Sequence, residues 1–180
     1  MAEERTVSSK YIYRGRVVNL RVDTVVDHGG RETIREVVEH AECVAVIAVD
    51  DNGDILLVEQ YRKGPERALL EIPAGGIDEG ESPEDAVIRE MQEEIGFRPS
   101  KLLRLGGFYS TPGFSNEYLY LYLAEDLHPG RLYAEDTDEI KIIRIKPDRI
   151  IDMIESGEIC DSKSAAGLLY YLEYRRKQQA

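Results

Sequence analysis

The chain has 180 residues, 42% of them hydrophobic and 32% charged, and a formal net charge of −12. That length suits one domain, or one domain with a small appended unit, and is enough to bury a core. The acidic balance excludes nucleic-acid or anionic-membrane binding through bulk electrostatics, and no apolar run is long enough to span a bilayer; a phosphate-bearing ligand is compatible where metal ions separate the two sets of negative charge.

In chain order, the opening Met1-Ala2-Glu3-Glu4-Arg5 lacks the apolar stretch of a secretory leader, so a cytoplasmic protein is expected. Residues 16–40 predict a strand pair: Arg21 to Val26 alternates, Asp27-His28-Gly29-Gly30 turns, and Glu32 to Glu39 alternates again. Residues 1–40 thus read as a small antiparallel unit and residues 41–180 as a mixed α/β domain. Cys43 to Val49 is a continuous apolar run, typical of a strand buried on both faces. Asp51-Asn52-Gly53-Asp54 is a hairpin turn into a strand from Ile55 to Arg62, and a short strand runs from Leu69 to Pro73. Ser82 as N-cap, Pro83 at the first helical position and Asp85 at capping-box spacing open a helix that Gly96 closes. Strands are predicted over 102–109, 117–124 and 140–145, and helices near 147–156 and 161–177.

Cys43 and Cys160 stand apart from one another without a Cys-x-x-Cys partner, and read as reduced intracellular packing thiols. His28, His40 and His128 have no ligand spacing, which argues against a catalytic histidine. Tyr170, Tyr171 and Tyr174, at helical spacing, belong to core or interface.

The helix after Ser82 is the informative element. At about 100° per residue, Val87, Ile88, Met91 and Ile95 share one arc, and Glu90, Glu93 and Glu94 share another that borders it. Arg89 is spaced to pair with Glu93. A solvated charged face is the ordinary reading of such a helix. It must account for Glu90 and Glu94 four residues apart with no lysine between them, a repulsion of roughly 0.2–0.5 kcal/mol. It must also account for Gly75 and Gly76 just before the helix. A divalent metal accounts for both, because hard cations take oxygen ligands and a tight glycine turn brings a main-chain carbonyl, such as that of Ala74, beside the carboxylates. Two metals about 3.5–4 Å apart would clamp a phosphorus centre.

The spacing Gly75, Glu81, Arg89-Glu90-Met91, Glu93-Glu94, Gly96-Phe97 resembles the Nudix box at every fixed position, in a strand–turn–helix context. The resemblance implies a Nudix-type α/β/α sandwich with a mixed sheet. It also implies hydrolysis of a nucleoside diphosphate linked to another moiety, with Mg2+ or Mn2+. Glu59-Gln60-Tyr61-Arg62, the run from Leu70 to Gly76, Pro112 and the amino-terminal strand pair look like one branch, the ADP-ribose pyrophosphatases and related nucleotide-sugar hydrolases.

Carried over position by position, the resemblance implies metal ligation by Glu90, Glu94 and the carbonyl of Ala74, with Glu93 supporting catalysis. Glu81 and Arg89 brace the loop–helix geometry framed by Gly75 and Gly96. Arg62 meets the substrate's phosphate or ribose region, and Thr111 and Glu117 line its terminal-ribose end. A late loop offers Glu135, Asp136, Asp138 and Glu139; its register favours Asp136 as base and Asp138 as a metal ligand, with Glu139 as a substitute. Family members with this amino-terminal unit form homodimers in which it helps build the partner's site, which makes Arg35 a candidate for contact across the dimer. The implied substrate is ADP-ribose, cleaved to AMP and ribose 5-phosphate. Rivals are other nucleotide sugars such as GDP-mannose or ADP-glucose, oxidised nucleoside triphosphates, and a non-catalytic nucleotide-binding module, against which the retained box acids argue.

Overall fold

In a computed structural model, residues 3–134 and 139–179 are described, and the chain divides into two compact units. The first runs to Glu42 and includes Tyr109–Tyr118; the second holds Cys43–Phe108 and the chain from Leu119 onward.

The first unit is a three-stranded antiparallel sheet in the order β1 (Arg5–Arg14), β2 (Asn19–Val26), β3 (Glu32–Glu39). β2 and β3 pair without a break from Asn19 opposite Glu39 to Val26 opposite Glu32. Their turn is held by Asp27, whose Oδ1 accepts the N–H groups of Gly29 at 2.8 Å and Arg31 at 3.0 Å. β1 escapes the sequence pattern for a physical reason. Every residue of it is exposed, so no buried face imposes alternation, and irregularities between Thr6 and Ser8 and between Tyr11 and Tyr13 break its period. Beside β3, the Val38 N–H donates to the Phe114 carbonyl at 2.7 Å, which draws part of the 109–118 segment alongside it.

The second unit is built on β4 (Cys43–Val49). Its residues are buried on both faces, as its apolar run predicts. It pairs in parallel with β9 (Tyr118–Pro129) and antiparallel with β5 (Ile55–Arg62) and with β7 (Ala74–Gly76). With β6 (Arg67–Glu71) pairing β5, β8 (Phe97–Tyr109) and β10 (Lys141–Ile145), the described residues give a seven-stranded mixed sheet. Ala45, Ile47 and Val49 face one side, where they meet Ile150 and Met153 of α2 (Ile150–Glu155) and Leu168 and Tyr171 of α3 (Ser162–Gln178). Val44, Val46 and Ala48 face the other, against Ala86, Val87 and Met91 of α1 (Pro83–Glu94) and the adjoining Ile95. The two-residue period of one strand therefore generates both layers of an α/β/α sandwich.

α1 begins as its sequence dictates. Ser82 Oγ accepts the Asp85 N–H at 3.1 Å and donates to Asp85 Oδ2 at 2.7 Å, with Pro83 in the first turn. Ile95 ends the helix and Gly96 follows at φ 75°, the left-handed conformation that favours glycine. Burying Val87, Met91 and Ile95 contributes roughly 1.5–3 kcal/mol each, enough to hold one face of the helix down while its carboxylates are free to do other work. Cys43 packs in the core, whereas Cys160 is exposed, within 3.1 Å of Arg67 Nη2, so only the first thiol is a packing residue. Tyr171 is buried in the core and Tyr174 packs against that core, while Tyr170 stays exposed.

Candidate active site

The region between β7 and α1 is organised by one guanidinium. Arg89 donates through Nε to Glu81 Oε1 at 2.9 Å and through Nη2 to Glu81 Oε2 at 2.9 Å and to the Gly76 carbonyl at 2.8 Å. Its Nη1 reaches Glu90 Oε1 at 2.6 Å and Glu93 Oε2 at 3.3 Å. The planar fork suits this multiple docking, and it ties loop, strand and helix together. Hydrogen bonding to Arg89 holds Glu81 below the ordinary carboxylate range, and the same contacts raise Arg89 further. Both bracing residues read from the sequence are thus brought together, with Glu93 drawn into the same cluster.

Gly75 works differently from its expected role. The two glycines lie in β7, laddered to Cys43 and Val44 of β4, and are not a tight turn; the left-handed glycine is Gly80, at φ 82°. The ladder dictates the backbone there, and Gly75 contributes space. A Cβ at that position would clash with the carboxyl group of Glu90. The space a side chain would take there is filled by the Glu90 carboxylate of α1.

Glu94 is 6% exposed and accepts the Ala74 N–H at 3.1 Å. It forms no ion pair among the described residues. Burial, followed by the neighbouring Glu90 charge, pushes Glu94 up to about 8. Burial likewise raises Glu90, against the pull of Arg89. Two adjacent carboxylates that resist ionisation, in oxygen-rich surroundings without a cation of their own at Glu94, are the donor set a hard divalent cation fits. Glu90, Glu94 and the main chain at Ala74 are the groups that could hold it.

Arg62, at the end of β5, lies flat on Glu71 in a bidentate pair. Glu139 is exposed and lines a cavity of about 460 Å³ with Glu59, Tyr61, Ala68, Ile140 and Lys141. Glu135, Asp136 and Asp138 lie outside the described residues. The other substrate candidates belong to the first unit. Arg35 donates to Glu4, through Nε at 3.0 Å, and Glu117 stands 3.3 Å from His40 Nδ1. Thr111 is exposed, and its carbonyl accepts the N–H groups of Phe114 at 3.1 Å and Ser115 at 2.9 Å.

Sequence reasoning missed the groups behind Arg62: Glu71, Asp161, Lys163 and Ser164. The available signal was a lone acid, Glu71, ending the apolar stretch Leu69-Leu70 and followed by Ile72. It also missed Gln92, at a position the box leaves unspecified. Its Nε2 donates to the Gly130 carbonyl at 2.6 Å and its carbonyl accepts the Leu132 N–H at 3.1 Å, fastening the segment before residue 135 to α1.

This geometry agrees with two family profiles. The NUDIX domain matches residues 39–160, and a nucleoside diphosphate sugar hydrolase N-terminal domain matches residues 4–38. The chain belongs to the Nudix family. A Bacillus subtilis ADP-ribose pyrophosphatase is 38% identical over 180 residues, covering 99% of this chain and 97% of its own. A methanol dehydrogenase activator of Bacillus methanolicus is also 38% identical, over 170 residues, covering 93% of this chain and 92% of its own. A crystal structure of an ADP compounds hydrolase superposes with a TM-score of 0.90 over 99% of this chain and 97% of its own, at 22% identity, and so shares the Nudix fold. The protein is therefore a Nudix hydrolase acting on phosphoric anhydride bonds, in a family whose chemistry uses a divalent cation. Among the described residues no helix is long and apolar enough to cross a membrane.

Proposed function

We propose that the protein hydrolyses the pyrophosphate bond of a nucleoside diphosphate sugar, ADP-ribose foremost, to AMP and ribose 5-phosphate. The observation that carries the reading is the pair Glu90 and Glu94, the second buried without an ion-pair partner among the described residues, at the main chain of Ala74. The name of the Bacillus subtilis relative supports the choice of substrate. Mg2+, with Mn2+ as its substitute, would be held by Glu90, Glu94 and the Ala74 carbonyl. When bound, it supplies charge neutralisation for the diphosphate and acidifies water.

The chain's own residues do the rest. Arg89, through its bonds to Glu81 and the Gly76 carbonyl, fixes the helix relative to the strand and so holds its carboxylates in place. Arg62 donates to a diphosphate oxygen through the guanidinium nitrogen it does not spend on Glu71. A water attacks one phosphorus in line, the bond to the bridging oxygen breaks, and a carboxylate takes the water's proton. Glu93 supports that step, with the late-loop acids Asp136 or Glu139 as base and Asp138 as an added ligand. Thr111 and Glu117 line the terminal ribose.

The active form is a homodimer joined through the amino-terminal sheet, with Arg35 contacting the substrate of the partner. The wholly exposed β1, with Val7, Ile12 and Tyr13 open to solvent, supports that assembly.

A panel of ADP-ribose, ADP-glucose and GDP-mannose, assayed for nucleoside monophosphate release, tests the proposal. AMP release from ADP-ribose with Mg2+, abolished by EDTA, is expected at the highest kcat/KM. Faster GMP release from GDP-mannose would reassign the substrate, and no release from any member would overturn the activity.

A further inference from the structure

Behind Arg62 lies a buried carboxylate between two cations. Glu71, the last residue of β6, is 1% exposed. Its Oε1 accepts from Arg62 Nε at 2.9 Å, and its Oε2 accepts from Arg62 Nη2 at 2.7 Å and also from Lys163 Nζ. Lys163 donates in turn to Asp161 Oδ2 at 2.8 Å, the same oxygen that caps α3 by accepting the Ser164 N–H at 3.0 Å. Burial alone would raise Glu71; the contacts with Arg62 and Lys163 overcome it and hold the acid below its ordinary range.

A buried ion cluster is a weak source of net stability, because desolvation offsets attraction. Its placement gives it another use. The residues that follow Glu71 are pinned one by one: the Ile72 N–H by Ser164 Oγ at 2.9 Å, the Pro73 carbonyl by the Val46 N–H at 2.9 Å, and the Ala74 N–H by Glu94 at 3.1 Å. The same short segment thus links the arginine's anchor to the carboxylates of α1. Arg62 commits Nε and Nη2 to Glu71, and its Nη1 has no hydrogen-bond partner among the described residues.

We propose that Glu71 and Lys163 are positioning residues for Arg62. The carboxylate fixes the guanidinium side-on, so that Nη1 is presented to the diphosphate. The lysine supplies the countercharge that lets Glu71 stay ionised without consuming the whole charge of the arginine. The first turn of α3 is thereby a part of the diphosphate site, although it touches no substrate. The inference rests on Arg62 binding the diphosphate, as in the function proposed above.

The test is a set of full-length variants, Glu71→Gln, Lys163→Met, Lys163→Arg, Arg62→Ala and the double variant Glu71→Gln/Arg62→Ala. Each is assayed with Mg2+ and ADP-ribose and titrated calorimetrically with the α,β-methylene analogue. Glu71→Gln raises KM and the analogue Kd about tenfold with kcat nearly unchanged, and Lys163→Met does the same more weakly. Lys163→Arg restores both constants, and Glu71→Gln adds no further loss once Arg62 is alanine. A folded Glu71→Gln variant with wild-type KM, or losses that multiply in the double variant, would overturn the proposal. Should Glu71→Gln fail to fold, the Lys163→Met and Lys163→Arg pair decides the matter by the same criteria. Failure of the substrate reading looks different, as a wild-type protein that neither cleaves nor binds nucleotide sugars. Inorganic pyrophosphate with Mg2+ then serves as the probe, and equal affinity across the variants overturns the positioning role.

Discussion

A carboxylate buried as deeply as Glu94, beside a second at Glu90, is costly to ionise without a cation beside it. Its value, raised to about 8, fixes the sign of a pH effect. Between the ordinary glutamate range and about pH 8 the folded apo chain keeps a proton that the unfolded chain releases, so rising pH destabilises the fold through this group. Glu71, Glu81 and Asp161, held below their ordinary values, act oppositely; their contribution is present above the ordinary carboxylate range and is lost as pH falls. In EDTA, the thermal midpoint therefore declines by a few degrees between about pH 6 and about pH 9, and Mg2+ abolishes the decline. Glu94→Gln removes the share of this pH dependence that Glu94 carries, keeps the fold, and lowers kcat by at least about 10²-fold at saturating Mg2+. Melting curves across pH and steady-state rates check both outcomes.

Among elements, α1 and β4 were the most legible, because one physical cause dominates each. Ser82, Pro83 and Gly96 mark the helix ends by capping chemistry, and the unbroken run from Cys43 to Val49, rich in β-branched residues, reads as a strand covered on both faces. β1 leaves no pattern because nothing among the described residues covers it. β7 was misread because Gly75 and Gly76 look like a turn to anyone who considers only backbone freedom, whereas the fold uses Gly75 for the room it leaves Glu90. The box acids were legible as a spacing. The Glu71–Lys163 contact was not, because it joins residues far apart in the chain and depends on how α3 meets the sheet. The fit between β7 and α1 gives a prediction of its own. The nearest atoms that Gly75→Ala meets are the flexible end of Glu90, and Gly75 has an ordinary φ, so the fold is expected to survive while the carboxylate is displaced. A loss of turnover on the order of 10²-fold with a thermal midpoint close to wild type is expected, since displacements of about an ångström can cost that much. Parallel activity and melting measurements decide it.

For the whole molecule, an amino-terminal strand with Val7, Tyr11, Ile12 and Tyr13 in solvent is apolar surface that a second copy would cover. Light scattering should give about twice the 20.4 kDa chain mass, and Ile12→Asp with Tyr13→Asp should shift it to the monomer with loss of activity. A monomeric wild type of full activity would refute the shared site. The parallel ladder of β4 with β9, and the grip of Ser164 on Ile72, have a consequence for biosynthesis. A nascent chain that has cleared the ribosome only through α1 already carries every acid of the box, but the strand that flanks β4 and the helix that steadies Ile72 are still untranslated. Such late closure is the mark of high contact order. Competence for nucleotide cleavage thus switches on only when synthesis is nearly finished.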